Sequence, residues 1–177
     1  MPLPPKWALG YHQCRWSYDS AEVLRKLAQE FRDRCIPCDV IHLDIDYMRG
    51  YRVFTWHPKR FPDPVGLVRS LTEDGFKTVT IVDPGVKYEP EADYSIFDAG
   101  MERDAFIRDS EGTIFHGYAW PDKTVFPDFL RSEVRQWWGN CQRALTDVGV
   151  AGIWNGGSGL PSGGGVPCRV PATGQLV

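Results

Sequence analysis

The stretch that most narrows what this chain can fold into is Asp39-Val40-Ile41-His42-Leu43-Asp44-Ile45-Asp46, where aliphatic and polar side chains alternate. Successive side chains of an extended strand face opposite sides. Ile41, Leu43 and Ile45 therefore face one way, and His42, Asp44 and Asp46 the other. The aliphatic set suits a layer of helices. The acidic set needs polar surroundings, because an unpaired buried carboxylate is expensive. A doubly wound sheet covers both faces with helices and makes such a strand costly. In a closed parallel barrel the second face is the lumen, and its C-terminal mouth carries the active site. Asp83 ends a second apolar run, residues 77–82, in the same way. A single aspartate at a strand end is readily a loop cap or the partner of Arg49 or Lys87. Two of them favour a polar pocket.

The flanking sequence supplies the rest of an α/β grammar. Residues 7–12 are short, aromatic-rich and apolar and read as a strand. Asp19 with Glu22 has capping-box spacing, and Val23, Leu24, Leu27, Ala28 and Phe31 follow at helical period. Arg32 and Arg34 suit the last turn of that helix, and Pro37 ends it. Asp63-Pro64 is an N-cap with proline at the first helical position, and Gly75 is a stop signal. The connection at 84–131 is long enough to suggest function, with a hairpin expected at 105–108 and 113–118. A helix is expected at 132–146 with Val134, Trp137, Trp138, Cys141 and Leu145 inward, then a break at Gly149 and a strand at 151–154. Strand and helix thus alternate three times before a fourth strand, the pattern of parallel sheets.

Composition excludes several classes of function. With 177 residues, 42% hydrophobic and a net charge of −3, the chain has one domain's worth of core and no basic face for nucleic acid or membrane. No apolar run is long enough to span a bilayer, and the first residues lack a signal peptide's apolar stretch, which favours a cytoplasmic location. The five cysteines have no regular spacing and are expected to be reduced. Cys35-Ile36-Pro37-Cys38 has redox spacing, but it closes a helix instead of opening one, so no helix dipole lowers a thiolate pKa. No metal motif forms around His12, His42, His57 and His116, and no second cysteine pair completes a zinc site. Gly163-Gly164-Gly165 lacks the Lys-Ser/Thr of a phosphate loop. No cofactor is implied.

Several runs together resemble glycoside hydrolase family 31, the α-glucosidase group. Trp7-Ala8-Leu9-Gly10-Tyr11-His12-Gln13-Cys14-Arg15-Trp16 resembles its first barrel strand, and Ile36-Pro37-Cys38-Asp39 through Asp44-Ile45-Asp46-Tyr47-Met48 its second. Residues 78–84, Trp120-Pro121 and Val125-Phe126-Pro127-Asp128 are similar to its third strand and following loop, and Gly152-Ile153-Trp154-Asn155 to the opening of its fourth. The resemblance implies residues 6–155 as the first four strands of a (β/α)8 TIM barrel, with a long loop after strand three. It implies retaining hydrolysis of α-linked glycosides in carbohydrate metabolism, with an α-glucoside or oligosaccharide as partner. Two carboxyl groups roughly 5–5.5 Å apart carry that chemistry. Carried over by position, Asp44 would accept hydrogen bonds from sugar hydroxyls. Ile45, Ile81 and Trp120 would line the pocket, Trp16 would form its wall, and Trp154 would stand beside the nucleophile.

The sequence then departs from the family. Where the resemblance implies Asp-Met-Asn-Glu-Pro, with the aspartate as nucleophile, this chain has Gly156-Gly157-Ser158-Gly159-Leu160. No Asp or Glu occurs from Gly156 to Val177, and residues 156–177 are rich in Gly and Pro, a composition expected to be disordered. No catalytic residue is therefore assigned. The leading expectation is an inactive part of a glycosidase. The alternatives are a non-catalytic sugar-binding protein that keeps Asp44 and Trp120, and a thiol redox protein at Cys35 and Cys38.

Overall fold

The computed structural model describes residues 3–156. In chain order it contains β1 (His12–Gln13), α1 (Ala21–Asp33), β2 (Val40–Leu43), α2 (Pro64–Glu73), β3 (Lys77–Val82) and β4 (Val86–Lys87). Then come α3 (Ser95–Glu102), β5 (His116–Ala119), β6 (Asp122–Val125), α4 (Ser132–Cys141), α5 (Arg143–Thr146) and β7 (Gly152–Asn155). Strands β1, β2, β3 and β7 form one parallel sheet in that order. Among the described residues β1 pairs only with β2 and β7 only with β3, so both edges of this sheet are open. Parallel strands joined through helices make an α/β partial barrel.

Local chemistry explains most boundaries. Asp63 caps α2 by accepting the Gly66 N–H at 2.8 Å, with Pro64 in the first turn. The chain leaves that helix through Gly75 at φ +82°, a left-handed conformation that glycine adopts without strain. The cap of α1 is Ser20, not Asp19; its hydroxyl accepts from the Val23 N–H at 3.4 Å. The buried stripe of α1 is also narrower than the periodicity suggests, with Leu24 and Ala28 buried and Val23 exposed. The helix stops at Asp33, before Pro37 is reached.

Three expectations need correction. Residues 7–12 do not form one strand: Lys6–Leu9 is a turn of 3-10 helix, and only His12–Gln13 pairs with β2. A short apolar run has no periodicity to separate strand from helix. The hairpin expected at 105–108 and 113–118 forms only as a short antiparallel pairing: Arg108 stands opposite Ile114, the Asp109 and Phe115 N–H groups donate to the Thr113 and Ile107 carbonyls, and the Asp109 carboxylate caps the turn. A longer hairpin that the sequence did not suggest is β5–β6, which turns through Trp120-Pro121 and joins β4 in a three-stranded antiparallel sheet. Finally, the helix expected at 132–146 is divided at Gln142 into α4 and α5.

The core lies between the parallel sheet and its helices. Leu24, Ile41, Leu67, Leu71, Phe76 and Leu145 are fully buried there. Each such side chain contributes roughly 1.5–3 kcal/mol on burial. Arg32 closes one end of this layer, with its guanidinium 3.7 Å over the Phe76 ring and a hydrogen bond to the Asp74 carbonyl.

Candidate functional site

Register decides which side chains share the other face. His42 stands opposite Val79, and Ile81 opposite Trp154, while His12 pairs with Val40. In a parallel pair, opposed residues point the same way. His12, His42, Ile81 and Trp154 therefore line the face turned away from the helices. The two imidazoles meet, His12 Nδ1 to His42 Nε2 at 3.0 Å, and the His42 ring lies edge-on to Trp154 at 6.1 Å. Burial, and then the neighbouring His12, hold His42 below the usual imidazole range.

The alternation that placed Asp44 and Asp46 together ends earlier than the sequence suggests. Strand β2 stops at Leu43, and residues Ile45–Tyr47 wind into a 3-10 turn capped by Asp44, whose carboxylate accepts the Ile45 N–H at 2.7 Å. Asp44 stays on the lumen side, half-buried, close enough to raise the Cys14 thiol pKa beyond the effect of burial. Asp46 swings away and pairs with Arg60 at 3.7 Å. Ile45 itself stays buried in the core cluster with Ile41 and Leu43. One side of it borders a depression lined by Met48, Tyr51, Asp83 and Trp120.

Trp120 reaches this depression because it sits at the tip of the β5–β6 hairpin. Its ring meets Trp16 at 5.2 Å in an edge-on arrangement, and both indoles are largely exposed. Ile81 is buried beneath, and its carbonyl accepts the Tyr47 hydroxyl at 2.9 Å. Of the six residues singled out from the sequence, Ile45 and Trp120 line the depression, Trp16 packs on Trp120, and Ile81, Asp44 and Trp154 occupy the adjoining lumen face. Asp83 is the residue that site selection passed over. The signal was present, since Asp83 follows Ile81 by two and shares its side of the sheet. Burial first, and Asp44 second, raise its carboxyl above the ordinary range.

Neither Arg49 nor Lys87 neutralises these aspartates. Arg49 meets Asp93, while Lys87 meets Glu89, which Arg52 also holds. The Cys35/Cys38 pair is not built for thiol exchange: both are free thiols, Cys38 is buried, and burial pushes its pKa up. No cluster of three or more metal-ligating side chains occurs among the described residues.

A model of the glycosyl hydrolases family 31 TIM-barrel domain matches residues 1–163. This chain belongs to glycosyl hydrolase family 31. Alpha-glucosidase 2 of Bacillus thermoamyloliquefaciens is 51% identical over 155 residues, which cover 88% of this chain and 19% of that protein. Among solved structures, the family 31 alpha-glucosidase from Bacteroides thetaiotaomicron superposes with a TM-score of 0.75 at 44% identity, covering 88% of this chain and 26% of the other. The Tris-bound glucosidase II alpha subunit gives a TM-score of 0.79 at 34% identity, covering 86% and 16%. The chain thus spans about a fifth of the length of its family 31 relatives. No helix among the described residues is long and apolar enough to cross a membrane. The Gly/Pro-rich segment expected to be disordered lies, from residue 157 on, outside the described residues.

Proposed function

We propose that this chain carries the sugar-holding half of a retaining α-glucoside pocket and that its 177 residues bind a glucosyl unit without cleaving it. The convergence of Ile45, Asp83 and Trp120 on one depression, at the C-terminal mouth of a parallel sheet, carries the reading. In barrels of this kind that mouth is where substrate sits. Trp16 and Trp120 offer flat apolar faces to a pyranose ring, and Asp44 offers a carboxylate oxygen to its hydroxyls. The relatives' names, alpha-glucosidases, supply the substrate class, an α-glucoside, and a related dextranase structure holds isomaltotriose.

Hydrolysis needs a nucleophile and a general acid flanking the glycosidic bond. Position 156 is glycine, and no acidic residue follows it in the sequence. The chemistry therefore needs groups that these residues do not contain, and the net charge of −3 gives no footing for nucleic acid or an anionic membrane. Calorimetric titration with maltose, run beside a chromogenic α-glucoside assay, tests the reading. The expected result is binding without turnover, weakened about tenfold or more by Asp44→Asn, in keeping with ~1.5–3 kcal/mol for a charged hydrogen bond. Turnover by the purified chain, or maltose affinity indifferent to Asp44→Asn, contradicts it.

A further inference from the structure

The depression has two walls. Met48, Tyr51 and Val53 line one side, and the hairpin tip at Ala119, Trp120 and Pro121 lines another. The first wall is built on an unfavourable backbone. Gly50 and Tyr51 both have left-handed φ angles, +56° and +61°, inside a 3-10 turn at Arg49–Tyr51, and Phe54 follows at +63°. Glycine adopts that conformation freely, but a tyrosine or phenylalanine does so only when its surroundings hold it there.

What holds the turn is charged and partly buried. Glu89 binds two cations at once: its Oε2 accepts from Arg52 Nε at 2.7 Å and from Arg52 Nη2, and its Oε1 meets Lys87 Nζ at 3.0 Å. Each cation also donates to a carbonyl of the turn, Arg52 Nη1 to Arg49 at 2.9 Å and Lys87 Nζ to Gly50 at 3.5 Å. The Arg52, Lys87 and Glu89 side chains are 18%, 23% and 25% exposed, against 73% and 76% for the surface pair Lys26–Glu22. Exposed pairs contribute little, whereas a shielded, forked contact fixes geometry. Burial works against the Glu89 charge, yet the Lys87 and Arg52 hydrogen bonds hold its carboxyl below the ordinary range, so this clamp is ionised at neutral pH.

Lys87 also belongs to β4, where it stands opposite Thr124 of β6, and β6 is joined to β5 through Trp120-Pro121. Glu89 is therefore tied through Arg52 to the Tyr51 wall and through Lys87 to the sheet that carries Trp120. Glu89 itself does not border the depression. We propose that Glu89 is a positioning residue for the glucoside depression, setting the Tyr51 wall against the Trp120 hairpin without touching the ligand. This rests on the pocket reading above and adds the group that sets the spacing of the pocket's walls.

Maltose titrations of the 177-residue chain, run beside urea unfolding of each variant, test the assignment. Glu89→Gln keeps the size and removes the charge; it should weaken maltose binding about fivefold or more. Arg52→Gln should do the same, and the double variant should lose no more than the worse single one, because both changes open one clamp. Glu22→Gln, which breaks an exposed pair on α1, should leave affinity within about twofold of wild type. Leu71→Ala should also leave it there while lowering stability more than Glu89→Gln does, which separates positioning from simple loss of stability. Affinity unchanged by both clamp variants, additive losses, or an equal loss in Leu71→Ala overturns the role of Glu89 and leaves the pocket reading standing. Unfolding of both clamp variants does the same, since Glu89 is then a requirement of the fold. Failure of wild type to bind maltose removes the pocket reading and this inference with it.

Discussion

The two faces of the parallel sheet are made of the same strands and do opposite work. On β2, Ile41 and Leu43 turn toward α1 and α2 and are buried in the main core. One residue away along the same strand, His42 faces the lumen with His12 and Trp154, half-buried and polar. The helix side was closed by apolar contact, which needs only volume and periodicity. The lumen side is held by single directed contacts: Asp44 to a backbone N–H, Trp16 to Trp120, and Asp83 in the space above Gly156. Stability should therefore reside on one face and ligand recognition on the other.

The largest expected effect is on the helix side. Leu71→Ala empties a fully buried position and should lower unfolding free energy by about 2–5 kcal/mol in a urea titration. Trp120→Ala, at an exposed hairpin tip, should change stability by within ~0.5 kcal/mol while weakening maltose binding. Equal losses of stability from the two variants would break the division between the faces.

A smaller effect is expected at Asp83. Its carboxyl is raised by burial and by Asp44, so the folded state binds a proton more readily than the unfolded chain. The stabilising contribution is present below the ordinary aspartate range and is lost as pH rises through the folded value. Asp83→Asn should therefore raise the melting temperature at neutral pH and converge with wild type in acid. A variant less stable than wild type at neutral pH would mean that the ionised carboxylate has a partner. The smallest effect concerns Thr78, which faces the helices with its Oγ1 buried and without a hydrogen-bond partner among the described residues. Thr78→Val keeps the branched shape and should be neutral or stabilising by up to about 1 kcal/mol, read from the same urea titration. A loss would show that the apolar face contains a polar contact after all.

Much of this was legible because it is written in local chemistry. Strand alternation and the Asp63-Pro64 cap need no knowledge of distant residues, and both hold in the fold. Site geometry depends on where alternation stops. The 3-10 turn after Leu43 sends Asp46 to Arg60 and brings Ile45 into the depression, and nothing in the run of residues 39–46 marks that change. The longer hairpin was missed for a related reason. Asp109-Ser110-Glu111-Gly112 has the stronger turn chemistry and does reverse the chain, yet long-range pairing of β6 with β4 builds the longer hairpin at Trp120-Pro121. Asp83 shows a third kind of limit: it lies beside position 156 of the neighbouring strand, a proximity that only register can bring about.

The division between the faces can be read from the tryptophans, since indole N–H resonances report on both. Trp16, Trp120 and Trp154 belong to the proposed pocket, whereas Trp137 and Trp138 pack with Phe106, Phe54 and Phe129 on the helix side. Maltose added to the isotopically labelled chain should shift the first three indole signals and leave the other two in place. Shifts at Trp137 and Trp138, or none at Trp16, Trp120 and Trp154 at saturating sugar, would contradict a glucoside pocket on the lumen face.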